Sequence, residues 1–200
     1  MTGRRIRASL AFGIAALALL DAGRAAAGPC EAAIAHAEYE HRIPHQLLRA
    51  MGMVEAGRPD GTIHPWALNV DGRAHLLKTR AEAEQLARVT AAAGRSFDGG
   101  CIQVSWRWHG YAFGRPEQLM DPLRNARYAA GMLADLRRRR GSWTEAVKHY
   151  HSGQAERQRT YVCKVWDTYA GLLGKQPAAE SYCSAEAVQA SVGTADTRGD

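Results

Sequence analysis

The sequence predicts a mainly α fold, a helical domain with one small extended or hairpin region. Three observations carry that reading. Apolar residues recur at helical spacing in about six stretches between residues 30 and 174. Most of these stretches open on a capping residue or a proline and close on a glycine. The composition, 46% apolar and 23% charged over 200 residues, suits one soluble globular domain with a small appendage and argues against a fibrous chain, a collagen or a disordered polyelectrolyte.

The chain begins with Arg4-Arg5-Ile6-Arg7, an apolar run from Ala8 to Leu20, and the small residues Ala25-Ala26-Ala27. A charged start, a short apolar core and an A-x-A end describe a secretory signal peptide over residues 1–27. The run is too short for a bilayer, which needs about 20 apolar residues. The first helix is expected from Cys30 to Arg42. Pro44 then suits the first turn of a second helix, where its missing N–H would be unpaired anyway. In that helix Leu47, Leu48, Met51 and Val54 share a side, and Gly57 stops it. Glu55 falls on or beside the same apolar stripe.

From Arg58 to Lys78 the pattern becomes short β-like pieces, with Asp71-Gly72 at a hairpin turn. Thr79 and Glu82 form a capping box for a helix to about Ala93, closed by Gly94. Residues 96–110 are dense in glycine and aromatics. Asp121-Pro122 opens a long helix carrying Leu123, Ala126, Ala130 and Leu133 on one face, with Gly141 behind it. Ser142 and Glu145 repeat the capping box for a helix to about Tyr150. The last helix carries Val162, Val165, Tyr169 and Leu172 and ends at Gly174. The domain therefore spans 28–174, and 175–200, without periodicity, reads as a disordered tail.

The formal charge of +6 shrinks once the leader is removed. Arg4, Arg5, Arg7, Arg24 and Asp21 go with it, leaving 22 basic and 19 acidic side chains and a net +3. That excess suits an acidic polymer and gives no reason to expect nucleic acid. Arg137 to Arg140 are expected to end a helix, where cations favour the dipole. Four cysteines behind an export signal favour disulfides. Three connectivities are open, of which Cys30 with Cys101 and Cys163 with Cys183 is favoured. No metal site or cofactor is suggested, since His149 and His151, two apart, do not share a helix face.

Glu55 is the sharpest anomaly. A carboxyl on an apolar helix face is a candidate general acid, because burial disfavours its charged form. The bland alternative is a helix-terminal glutamate that reaches solvent. Around it, Pro44-His45-Gln46-Leu47-Leu48-Arg49-Ala50 followed by Val54-Glu55-Ala56-Gly57 resembles the catalytic-helix segment of the lytic transglycosylases (soluble lytic murein transglycosylase-like). Three further segments follow in that family's order. His64-Pro65-Trp66-Ala67-Leu68-Asn69-Val70 is similar to the Pro-Trp and Asn-Val segment of an exported subgroup. Asp98-Gly99-Gly100-Cys101-Ile102-Gln103 resembles the Gly-x-Met-Gln signature, and Ala146 to Gly153 the Tyr-Asn-x-Gly signature.

The resemblance covers roughly Cys30 to Trp166. It implies a lysozyme-like helical fold and cleavage of the β-1,4 bond between N-acetylmuramic acid and N-acetylglucosamine, with formation of 1,6-anhydromuramic acid. It implies Glu55 as the single acid/base and Tyr150 as its hydrogen-bonding partner. Gln103 and Asn69 would line the sugar-binding cleft. Peptidoglycan glycan strands would be the substrate, in the periplasm or outside the cell, and an envelope-spanning secretion, conjugation or flagellar apparatus is a candidate partner.

The chain departs from the family pattern at Ala56, where a serine is usual, at His151, where an asparagine follows the tyrosine, and at Ser105, which replaces another asparagine. Asp60, Asp71 and Asp98 fall in glycine-rich turns, where aspartate more often bonds nearby backbone N–H groups. Three other readings stay open: a lysozyme-like hydrolase, a cell-wall peptidase with Cys101 as nucleophile and His109 or His151 as base, and a wall-binding component without turnover.

Overall fold

Seven α-helices and a four-stranded antiparallel sheet make up the described residues. The computed structural model describes residues 28–151, 155–175 and Cys183. The predicted leader, 1–27, and nearly all of the predicted tail lie outside the described residues. The chain is mainly helical with a small hairpin-containing sheet, as its periodicity predicts.

Helix α1 (Pro29–His41) packs on α2 (Leu47–Ala56) and along the long helix α5 (Pro122–Arg140). Helix α6 (Trp143–His151) lies on α5, and α7 (Ala155–Leu172) lies on α2 and α6. Ala126, Ala129, Ala130 and Leu133 of α5 are fully buried. Small alanines let neighbouring helices approach closely, and leucines fill what remains. Leu123, expected on that face, lies in the first turn of α5 and is 37% exposed.

The N-terminal end of α2 is built differently from its sequence expectation. Pro44 precedes the helix and accepts from Leu47 N–H in a turn, while Gln46 takes a left-handed φ of 73° and offers no side-chain cap. The cap comes from α1 instead. The buried Glu38 carboxylate accepts the N–H groups of Gln46, Leu48 and Arg49 at 2.9, 2.8 and 3.2 Å, satisfying donors that a helix start leaves open.

Strands β1 (Ala67–Val70) and β2 (Arg73–Leu76) form the predicted hairpin, with Asp71 and Gly72 at φ 50° and 83°. Two positive φ angles define the turn that suits the strands' own twist. Helix α3 (Arg80–Ala92) carries the complete Thr79–Glu82 capping box. The Ser142–Glu145 box is half made: Glu145 N–H bonds the Ser142 hydroxyl, but the Glu145 carboxylate turns to Lys148 at 2.7 Å.

Residues 97–105, without helical periodicity, supply two very short strands, β3 (Phe97–Gly99) and β4 (Val104–Ser105), giving the order β2-β1-β3-β4. A short helix, α4 (Trp106–His109), and two 3₁₀ turns, Gly110–Ala112 and Pro116–Met120, lead into α5. The arginines at 137–140 end α5 as predicted, with Arg138 paired to Asp135. Disulfides join Cys30 to Cys101 and Cys163 to Cys183, the favoured pairing. They fit an oxidising compartment. Among the described residues no helix is long and apolar enough to cross a membrane.

Candidate active site

Strand periodicity fixes the floor of the site. On β1 and β3, Leu68, Val70, Phe97 and Gly99 are buried, while Asn69 and Asp98 between them are only half-buried. The register pairs Asn69 with Asp98 and Asp98 with Ser105. Side chains alternate faces along a strand, so these three form one polar row across the sheet, opposite the core face.

Glu55, at the end of α2, looks onto that row. Its side chain is 16% exposed. A cavity of about 260 Å³ is lined by Glu55, Asn69, Asp98, Gln103, Ser105, Trp108, His109, Tyr150 and His151 among others. The four residues singled out from sequence, Glu55, Asn69, Gln103 and Tyr150, thus meet in one place from α2, β1, the β3–β4 turn and α6. Two further cavities open on Glu55. One, of about 150 Å³, runs toward Arg58, His64 and Leu76. The other, of about 500 Å³, runs toward α7.

The β3–β4 turn is held by a residue that no motif flags. Asn125, fully buried on α5, accepts Ile102 N–H at 3.0 Å and donates to the Gly99 and Leu119 carbonyls. Gly100, at φ 78°, passes so close that a Cβ there would lie 2.5 Å from the Asn125 amide nitrogen; only glycine fits. Gln103 follows at φ 43°, and its Nε2 donates to the Ala67 and Gly100 carbonyls, both at 3.0 Å. The turn is thereby tied to β1 and to itself.

Tyr150 corrects one expectation. Its hydroxyl donates to the Ile102 carbonyl at 3.3 Å rather than to Glu55, so it buttresses the turn that carries Gln103. Burial drives its pKa well up, and the Glu55 charge adds to this. The groups that bear on Glu55 directly are different. His151 Nδ1 lies 3.7 Å from Glu55 Oε1, and the His151 ring stacks on Tyr161 with centroids 4.3 Å apart. The Tyr161 phenol is buried and is pushed far up in pKa by burial and then by Glu55. His151, in the sequence a departure from the family pattern and a candidate base for Cys101, takes a place at the Glu55 carboxylate. Tyr161 carries no motif; its i+10 spacing from His151, on the next helix, gives sequence reasoning no handle.

The three spare aspartates separate cleanly. Asp60 bonds Thr62 N–H and hydroxyl, as a turn aspartate should. Asp71 pairs with Arg95. Asp98 does neither: it sits on a strand and joins Glu55 in the cleft. Burial holds its carboxyl above the usual range, Ser105 opposes this, and the Glu55 charge raises it again. A carboxyl whose folded pKa exceeds its unfolded one contributes stability that is full at low pH and is lost as pH rises through the folded value. Asp98→Asn removes that burden, so its melting temperature exceeds the wild type's at pH 7, with the gap closing as pH falls below 4. An equal gap at both pH values would show that Asp98 carries no such burden.

His109 is held below its ordinary pKa by burial, with Asp98 opposing, and its Nδ1 lies 2.9 Å from the Tyr128 hydroxyl. Cys101 is fully buried and disulfide-bonded, so in this form it offers no thiolate nucleophile. Comparison with family models, curated proteins and solved structures returned no match to this chain.

Proposed function

We propose that the protein is a peptidoglycan lytic transglycosylase of lysozyme-like architecture, acting outside the cytoplasmic membrane, with Glu55 as acid/base. The observation that carries the reading is the convergence of Glu55, Asn69, Gln103 and Tyr150 on one cleft from four separate parts of the chain. Convergence of polar groups around a sheltered carboxyl in a concave site is the arrangement expected of catalytic machinery. The two disulfides are compatible with export. Glycan strands would lie along the groove formed by the cavities of about 260 and 150 Å³ that meet at Glu55. An envelope-spanning apparatus remains the proposed partner, and nothing in the charge distribution calls for nucleic acid.

In this mechanism Glu55, protonated, gives its proton to the glycosidic oxygen as the bond to C1 of the muramyl residue breaks. The developing oxocarbenium ion is captured by the same sugar's C6 hydroxyl. Glu55, now ionised, takes the hydroxyl proton and is ready for another cycle. One carboxyl suffices because the nucleophile belongs to the substrate. His151 beside Glu55 Oε1 would steady the ionised form, the state required in the second half.

Asp98 favours a second reading. A hydrolase uses two carboxyl groups, one as acid and one as base or nucleophile, and Asp98 shares the Glu55 cleft. Mass spectrometry of fragments released from purified sacculi separates the two. The transglycosylase yields muropeptides lighter by one water, ending in 1,6-anhydromuramic acid. Reducing-end muramic acid as the main product would replace this reading with the hydrolase. Binding without any fragments would leave a non-catalytic wall component.

A further inference from the structure

The cavity of about 500 Å³ on the α7 side of Glu55 is not accounted for by the chemistry at the bond. Arg157, Thr160, Tyr161 and Lys164 line it from α7, facing Val54, Glu55 and His151. Their spacing, i, i+3, i+4 and i+7, puts all four on one helix face. Arg157 and Lys164 are exposed, and among the described residues neither has a carboxylate within ion-pair distance. Beside them Tyr161, 4% exposed, lines the same cavity, with its hydroxyl engaged by Glu55.

We infer that this cavity is a binding site for an acidic peptide carried by the glycan, its carboxylates held by Arg157 and Lys164. The inference rests on the proposed substrate. Within a peptidoglycan strand the sugars are uncharged, and the anionic groups next to the scissile bond belong to the peptide attached through the muramyl lactyl ether. A strand seated with its bond at Glu55 places one such peptide beside the catalytic carboxyl, where two cations without a carboxylate partner among the described residues wait. Arginine binds a carboxylate through two parallel N–H groups, and lysine adds a mobile point charge. The protein would therefore select peptide-bearing strands over bare ones.

The test measures binding in the Glu55→Gln background, so that it does not depend on turnover. The probes are purified sacculi and a chitin oligosaccharide, whose β-1,4-linked sugars carry neither peptide nor carboxylate. Arg157→Gln with Lys164→Gln should weaken binding to sacculi about tenfold, the scale of one or two lost charge-assisted bonds, and leave binding to the chitin oligosaccharide unchanged. Affinity for sacculi in the parent should fall with added salt, and the double variant should lose most of that dependence. Equal binding of parent and double variant to sacculi, or equal weakening on both probes, overturns the inference. Failure of the catalytic reading shows separately, as an absence of released fragments from sacculi treated with the wild-type protein.

Discussion

Glu55→Gln is expected to abolish turnover of sacculi, by about 10⁴-fold or more, while the folded structure and glycan binding persist. General acid–base groups contribute about 10²–10⁴-fold singly, and in the proposed mechanism one group serves both halves of the reaction. The glutamine keeps the shape of the side chain and can still meet His151. It has no acidic proton to give the leaving oxygen and no basic oxygen able to recover one from the C6 hydroxyl. The half-buried site, 16% exposed at the carboxylate, makes rescue by bulk water ineffective. Fragment release over time, with circular dichroism and sacculus pull-down as controls, reads the result. A variant releasing fragments at even a tenth of the wild-type rate would remove Glu55 from the centre of the mechanism. In that event Asp98, the other carboxyl in the cleft, becomes the group to substitute.

The second large effect is on stability. Replacing Cys30 and Cys101 together by serine should cost about 4 kcal/mol, because the bond closes a long loop in the unfolded chain. The two cysteines are 71 residues apart in sequence and both fully buried. Serine adds a further burden, since two hydroxyls enter an apolar environment without assured partners. Translated to temperature, the loss is a fall in melting point of about 10 °C for a domain of this size. Activity should fall with it. Cys101 precedes the Ile102 carbonyl that receives Tyr150 and the Gln103 side chain that lines the cleft. Urea titration of the oxidised wild type beside the double variant measures the difference. A loss below 1 kcal/mol would mean that the unfolded chain gains little freedom when the bond is cut.

Much of this was readable in the sequence where the signal is local. Thr79 with Glu82, Asp71 with Gly72, and Gly141 behind a long apolar stripe each act over four or five residues, and each behaves as its local chemistry demands. The site was partly readable for the same reason: Glu55, Gln103 and Tyr150 sit in short patterned segments. What escaped is long-range. Glu38 caps a helix eight to eleven residues downstream, Asn125 clasps a turn more than twenty residues upstream, and Tyr161 of α7 meets His151 of α6. None of these partners is marked by periodicity, because a single polar side chain on a helix face looks the same whether water or a distant backbone receives it. Asp98 was misread as a turn residue because strands of two or three residues are too short to show alternation.

The clamp on Gln103 decides which half of its amide a ligand can meet. Both Nε2 hydrogens have carbonyl acceptors, Ala67 O and Gly100 O, and the left-handed backbone at φ 43° holds the side chain over the turn that supplies one of them. Oε1 is the amide atom those carbonyls leave unengaged, and it is purely an acceptor. Gln103 therefore reads hydrogen-bond donors: the N–H of an N-acetyl group or a sugar hydroxyl satisfies it, whereas an acetyl carbonyl turned the same way meets an oxygen and is repelled. A flexible glutamine would accept a sugar in either orientation. This one gives the cleft a polarity: on the proposed function, a glycan strand threaded in the wrong direction would lose a hydrogen bond at the point where the right one gains it.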